Sequence, residues 1–299
     1  MQALLILILA QARAPEILER HCLQCHNEKT HKGDLDLSTR EAIKSKPETI
    51  WRSVAHLDGE RRRHRRAGGE GGRKDMTLDR TTVLAGIPNE LGAFGELLGS
   101  LRADDLTTPT RCAGRTVADI AGHVIGTAVD LAQGRLDGQG TPEVTRRQAD
   151  ERAGRTPKEL ADELGTAGPA LSALLASLPE DVWRGPAPRN PGHTLGFGVE
   201  AIWYDAYLHG DDIRDAVGLT SARGDGLRCA VHHVAGHLEH QGWGPATIAL
   251  EGIERIEIGG GGPEITGDPL EFVLAATGRR DPSVLGFDPT INVDADGDY

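Results

Sequence analysis

From Arg61 to Asp75 the chain reads RRRHRRAGGEGGRKD. This stretch has no apolar period and carries a dense positive block, a composition that cannot bury a core, so it predicts a disordered linker over residues 59–77. A chain of 299 residues interrupted in this way must fold as separate pieces, each with a core of its own. Composition changes at the same point. Up to Met76 there are 15 Lys+Arg against 11 Asp+Glu, and beyond it 18 against 34. Lys29, Lys32, Lys44, Lys46 and Lys74 all precede Met76, while Lys158 is the only lysine after it. The codons of GGEGGRKD are purine-rich, which also fits translation through a ribosome-binding site ahead of a start at Met76.

The N-terminal piece opens with MQALLILILAQARA, an apolar run followed by an A-x-A site. Residues 1–14 therefore read as a signal-like segment, too short to span a bilayer, which needs about 20 apolar residues. Next comes C-x-x-C-H, in which Cys22 and Cys25 can form thioethers with a haem and His26 can ligate its iron. The wider stretch ILERHCLQCHNEKTHKGDLDLSTREAI resembles the start of the planctomycete-type cytochrome c domain, which implies a cytochrome-c-like fragment over residues 15–58 with covalent haem c. That family takes a distal ligand from a segment after the next helix. No methionine lies between Met1 and Met76 to supply it.

Beyond Met76 the apolar residues keep helical time. Leu84, Ile87, Leu91, Phe94, Leu98 and Leu101 recur at steps of three and four, marking one face of a first helix. A second helix starts at a Thr116-x-x-Asp119 capping box and runs through Ile120, Val124 and Leu131. A third begins at Thr156-Pro157-Lys158-Glu159 and presents Leu160, Leu164, Leu171, Leu174 and Leu178. The fourth covers about 195–217 and stops at Gly218. Four amphipathic helices, one connection among them long, predict a four-helix bundle over residues 78–220.

On the fourth helix Ile202, Asp205, His209, Asp212 and Ala216 form a single stripe. Ionisable residues in the middle of such a stripe need pairing or coordination, because buried charge is costly. Asp205 and His209, four apart, can reach one ion, and His123, beside Ile120 and Val124 on the inward side of the second helix, is a natural third ligand. Two histidines and a carboxylate leave a coordination position open for water or substrate. Spacing alone is equally compatible with a buried Asp–His hydrogen-bonded pair.

The segments LRADDLTTPTRCAGRTVADIAGHV and DAYLHGDDIRDAVG resemble the mycothiol-dependent maleylpyruvate isomerase family, and the likeness runs from about residue 78 to the C-terminus. It implies a DinB-like metal-binding bundle. The family pattern T-x-C-x-G-W-T-V-x-D-L-x-x-H ends in a metal histidine that maps onto His123, and its E-x-x-x-H maps onto Asp205 and His209. Arg115 stands where Trp is usual and Asp205 where Glu is usual, so the ion must sit closer to the helix. Asp212 matches a recurring family aspartate suited to orienting a ligand. Gly278-Arg279 matches the end of a W-G-R segment, which makes Arg279 a candidate catalytic residue that grips a carboxylate of substrate or thiol.

Residues 221–299 change character again: a helix in RCAVHHVAGHLEH, a hairpin from TIALEGI and RIEIGGGGPEIT with a Gly-rich turn, and a second helix in DPLEFVLAATGRR. They predict a small α+β domain of the kind found in the same family. His233 and His237 read as part of a solvated helix face, and Cys112 and Cys229 as reduced core residues. The fold class is thus mainly α, a bundle followed by a small α+β domain.

The resemblance implies an enzyme with a divalent ion, zinc in the first instance, that holds a small thiol such as mycothiol as its thiolate for isomerisation or transfer. A net charge of −12 argues against nucleic acid or an anionic membrane as partner and leaves a small-molecule thiol and substrate. Such chemistry belongs in the cytoplasm, whereas the signal-like segment and haem motif require export. The alternatives are an exported c-type electron carrier and a non-catalytic metal-binding bundle.

Overall fold

The computed structural model describes residues 78–187, 192–285 and 291–294. The chain divides into two compact units, Met1–Lys74 and Asp75–Tyr299, and all described residues lie in the second. The signal-like segment, the haem motif and the linker at 59–77 fall outside them.

Helix α1 (Arg80–Ser100) is capped by Asp79, whose side chain accepts from the Thr82 amide. It buries Val83, Ile87, Leu91, Phe94 and Leu98. The expected face is rotated slightly at its start, where Val83 points inward and Leu84 is only half-buried. A 3₁₀ turn (Ala103–Thr107) and a narrow loop closed by the Pro109–Thr116 bridge lead to α2 (Val117–Ala132), with the predicted Thr116/Asp119 capping box in place.

The long connection after α2 is not all loop. It contains α3 (Pro142–Asp150), nine residues with Thr141 as cap and Pro142 in the first turn. Thr141 and Pro142 carry a start signal, but the segment to Asp150 has no long apolar period to distinguish it from loop. Glycines on α2 let α3 come close. A Cβ at Gly122 would lie 2.8 Å from the Ala149 Cα, and one at Gly126 2.4 Å from the Gln148 Cβ.

Helix α4 (Pro157–Ala176) carries the Thr156/Glu159 capping box as read and faces inward with Leu160, Leu164, Leu171 and Leu175. After the single turn α5 (Glu180–Trp183), α6 (Leu195–Ala216) starts at Thr194 and ends where Gly218 takes φ +72°. Helices α1 and α2 each pack against both α4 and α6, which makes the four-helix bundle.

Helix α7 (Asp225–His240) packs on α6 and carries a three-stranded sheet of order β2-β1-β3. Strand β1 (Ala246–Leu250) pairs antiparallel with β2 (Ile256–Ile258), Ala246 opposite Ile258, and parallel with β3 (Glu264–Gly267), Ile248 beside Ile265. The hairpin exists, but the Gly-rich stretch 259–262 is not its turn. It carries the chain from β2 across to the far side of β1. Helix α8 (Pro269–Ala276) covers α7, and a second core forms from Val231, Val234, Leu238, Ile248, Ile258, Phe272 and Val273. Tyr204, Tyr207 and Leu208 of α6 join this core, so α6 serves both cores and is buried nearly all round. Among the described residues, no helix is long and apolar enough to cross a membrane.

Candidate metal centre

A helix buried on nearly every side should be apolar. Instead α6 buries Glu200, His209, Asp211 and Asp212. Each polar group must therefore be satisfied by a partner.

Three ligand-type side chains meet between α2 and α6. The His123 Nε2 lies 3.6 Å from an oxygen of Asp205, and the His209 Nε2 lies 3.4 Å from the other. One ligand atom from each residue falls within 4.8 Å of the others, and the two imidazoles meet edge-on with centroids 5.4 Å apart. His123 and His209 are 6% and 2% exposed at the side chain and Asp205 is 16% exposed, so access is from the Asp205 side.

The far nitrogen of each imidazole is anchored. The His123 Nδ1 is 2.8 Å from the Gln148 Oε1. Gln148 turns its Nε2 to Asp130, which can only accept, at 2.8 Å; the amide is therefore oriented with its oxygen toward His123, and His123 donates from Nδ1. Asp130 is fully buried and also takes Arg135, Arg147 and Gln139, and these bonds outweigh burial to hold its carboxyl down at about 2.

On the other side the His209 Nδ1 is 3.0 Å from the Asp212 Oδ2. Asp212 is fixed in turn by the Arg111 Nε at 2.7 Å, by Arg279 through Nε and Nη2 at 3.0–3.2 Å, and by the Cys112 thiol at 3.1 Å. Arg111 also pairs with Asp211. With both Nδ1 atoms occupied, both Nε2 atoms face Asp205, the arrangement a metal requires of histidine. Burial would raise the Asp205 carboxyl, but His209 and His123 hold it well below the usual range. Burial would lower His209, yet Asp205 and Asp212 raise it well above an ordinary imidazole.

His123, Asp205 and His209, selected by spacing, are thus adjacent in space, and Asp212 touches His209. Arg279 is nearly fully buried and spends its guanidinium on Asp212 and on Asp294, 2.7 Å from Nη1. Cys112 is buried and free of disulfide, as is Cys229, but Cys112 sits against the centre and not in general core. Cys22, Cys25 and His26 lie outside the described residues.

The expected solvated face at His233 and His237 is not found. His233 is 1% exposed, with Nδ1 3.1 Å from the Glu200 Oε1, and burial lowers it to about 3. Its ring lies in a stack with Phe197 and His193, extended by Tyr204 on one side and His240 on the other. Sequence spacing shows no carboxylate opposite α7, but Glu200 reaches it from α6. Stacked rings offer faces to one another and not converging lone pairs, so this cluster packs as an aromatic seam.

The Gln148–Asp130 support depends on α3, whose own period does not reveal it. The spacing of Gly122 and Gly126 around His123 was the available signal that another backbone approaches α2 beside the histidine.

Residues 88–214 match the family model of the mycothiol maleylpyruvate isomerase N-terminal domain, a span that includes His123, Asp205 and His209. Two solved structures are similar to the chain, a mycothiol-dependent maleylpyruvate isomerase and a histidine-to-alanine mutant of a protein so named. The first is 16% identical, with a TM-score of 0.49, 68% of this chain covered and 90% of that one. The second is 16% identical, with a TM-score of 0.47 and coverages of 71% and 96%. Comparison with curated proteins gives no significant match. The likeness to the mycothiol maleylpyruvate isomerase N-terminal domain thus rests on residues 88–214, the segment that carries all three ligand-type side chains.

Proposed function

We propose that this chain is a metal- and thiol-dependent enzyme of the isomerase or transferase type, with a divalent ion held by His123, Asp205 and His209. The observation that carries the reading is the convergence of two imidazole Nε2 atoms on one carboxylate, each imidazole held from behind by a separate buried network. A His₂-carboxylate set suits zinc and leaves a position open. When bound, the ion would favour the thiolate form of a small thiol such as mycothiol.

The protein's own part is positional. Asp205 and the two imidazoles would hold the ion, and a thiol would reach it from the side where Asp205 meets solvent. Gln148 and Asp212 keep the histidines from rotating, and Arg111 and Arg279 neutralise the Asp211–Asp212 pair so that Asp205 keeps its charge for the centre. In an isomerisation, the sulfur would add to one carbon of an activated double bond, the resulting single bond would rotate, and the same carbon–sulfur bond would break to return the thiolate and the trans product. For Arg279 to grip a carboxylate of thiol or substrate it must exchange Asp294 for that group while keeping Asp212.

The test is metal content and turnover on the full chain. Zinc is expected to bind at one equivalent and to be lost in Asp205→Ala and His209→Ala, and maleylpyruvate is expected to isomerise only with mycothiol present. Unchanged zinc binding in both variants would overturn the reading.

A further inference from the structure

Arg279 stands between two carboxylates. Its Nε and Nη2 meet Asp212 at 3.0–3.2 Å, and its Nη1 meets the Asp294 Oδ2 at 2.7 Å, a closer approach than any it makes to Asp212. The other Asp294 oxygen accepts from the Tyr204 hydroxyl at 2.8 Å. Tyr204 and Asp212 both belong to α6, so Asp294 and Arg279 are tied to that helix at both ends.

Both residues have firm mounts. Arg279 follows Gly278, which takes φ +71° just past α8, and its amide donates to the Leu274 carbonyl at 2.9 Å. Residues 291–294 dock on the same turn. The Val293 amide donates to the Ala276 carbonyl at 2.9 Å, Val293 joins the second core, and the Asp294 amide donates to the Asn292 Oδ1 at 3.0 Å. A Cβ on Gly278 would stand 2.6 Å from the Asn292 Nδ2, so glycine serves the turn and the docking together.

The effect of this mount falls on Asp212. Its Oδ2 accepts from the His209 Nδ1 at 3.0 Å and from the Arg279 Nη2 at 3.1 Å, so imidazole and guanidinium share one oxygen. An arginine with no second carboxylate would settle on Asp212 as a closer bidentate pair. Asp294 draws it the other way. The charges agree with the geometry: Arg111 and Arg279 face three largely buried carboxylates, Asp211, Asp212 and Asp294, while Asp215, 4.0 Å from Arg111, is half-exposed. One buried negative charge is left for the imidazole. Burial raises the Asp294 carboxyl and Arg279 opposes the rise, so each member of the pair depends on the other.

We propose that Asp294 is a positioning residue of the metal centre: by drawing the Arg279 guanidinium back, it leaves the Asp212 Oδ2 to the His209 Nδ1 and keeps the His209 Nε2 turned toward Asp205. The consequence for zinc rests on the metal reading above; the effect on the imidazole holds in the metal-free chain.

Asp294→Asn in the full chain tests this, because it keeps the size and an oxygen for Arg279 and removes the charge. In the metal-free protein the His209 Nδ1 proton, followed by nitrogen-15 NMR, should move upfield as its bond to Asp212 weakens. Tyr204→Phe, which releases one Asp294 oxygen and leaves the charge, should move it the same way by less. Zinc affinity of Asp294→Asn, from chelator competition, should fall about tenfold, the lower end of the range for a partner behind a metal histidine, since Asp294 stands further out. In an Asp212→Asn background the same substitution should add no further loss, because the route through Asp212 is already cut. The inference is overturned if the His209 resonance stays in place in both variants, if Asp294→Asn binds zinc as tightly as the parent, or if its loss is as large in the Asp212→Asn background. A parent that binds no zinc would sink the metal reading instead, and the His209 resonance would still decide the role of Asp294.

Discussion

Replacing Gln148 by leucine asks whether the α3 network serves the metal centre or merely the fold. The substitution keeps most of the volume but removes an acceptor 2.8 Å from the His123 Nδ1 and a donor 2.8 Å from Asp130. Removing a partner behind a metal histidine typically costs 10–100-fold in affinity, or about 1.4–2.7 kcal/mol. The stranded Asp130 oxygen keeps Arg147 and Gln139, so the loss of stability should stay near 1–3 kcal/mol. Gln148→Glu separates the two effects. Its carboxylate can still accept from His123 but meets Asp130 as a like charge in a buried site, so stability should fall as far or further while zinc affinity is retained. Competition with a calibrated chelator measures zinc affinity, and denaturant unfolding of the metal-free protein measures stability. If Gln148→Leu binds zinc as tightly as the parent, Gln148 does not hold His123 for the ion. If Gln148→Glu loses affinity as Gln148→Leu does, the damage comes from collapse of α3 and not from the lost acceptor.

Gly126→Ala should act at the same place through the backbone, because its Cβ would lie 2.4 Å from the Gln148 Cβ and 3.1 Å from Arg152; a loss of about 1–3 kcal/mol in unfolding free energy with weakened zinc binding is expected. Asp130 gives an acid-unfolding signature. Its folded value of about 2 lies below the ordinary 3.8, so its contribution is complete above about pH 4 and disappears as pH falls from 4 through 2. After screening by the partly exposed Arg135 and Arg147 this amounts to roughly 1–2 kcal/mol. Asp130→Asn should flatten the stability curve in that window, as read by urea midpoints against pH. Arg279→Lys keeps the charge beside Asp212 but cannot reproduce its three contacts, so thiol-dependent turnover should drop more than zinc binding does. Equal losses in the two readouts would assign Arg279 to the support of His209 alone.

The bundle was legible in the sequence because its signals are local and repeated. Caps at Thr116 and Thr156, the stop at Gly218 and runs of leucine at three and four are written within single helices, and the Asp205–His209 contact on α6 is an i, i+4 spacing of the same kind. What failed to show was whatever depends on a second backbone. Helix α3 has nine residues and a polar composition, so nothing in its own period separates it from loop. The burial of His233 rests on Glu200, 33 positions away, and the strand order on a crossover that the run of glycines conceals. The first and last turns of a periodic face also drift, which is why Val83 and Leu175 replaced Leu84 and Leu174.

The charges of α6 show why the centre falls where it does. Glu200 is answered by the Leu78 amide at 2.7 Å and by His233. Asp211 is answered by Arg111, and Asp212 by Arg111, Arg279 and the Cys112 thiol. Among the described residues Asp205 pairs with no guanidinium; its partners are two imidazoles whose other nitrogens are already committed. A carboxylate in a low-dielectric wall is costly without positive charge beside it, and every other buried carboxylate of this helix that carries an arginine carries it at close range. Asp205 is compensated by its imidazoles instead, His209 being raised well above its ordinary value, and a bound cation would take over that compensation. His123 reaches Asp205 across from α2 while Gln148 holds its other nitrogen. Lengthening the acidic side chain by Asp205→Glu, without moving α2, should push the carboxylate past the point where the two Nε2 atoms converge and weaken zinc. A stronger site in Asp205→Glu would mean that α2 and α6 adjust their spacing freely, and that the Gln148 anchor is not rigid.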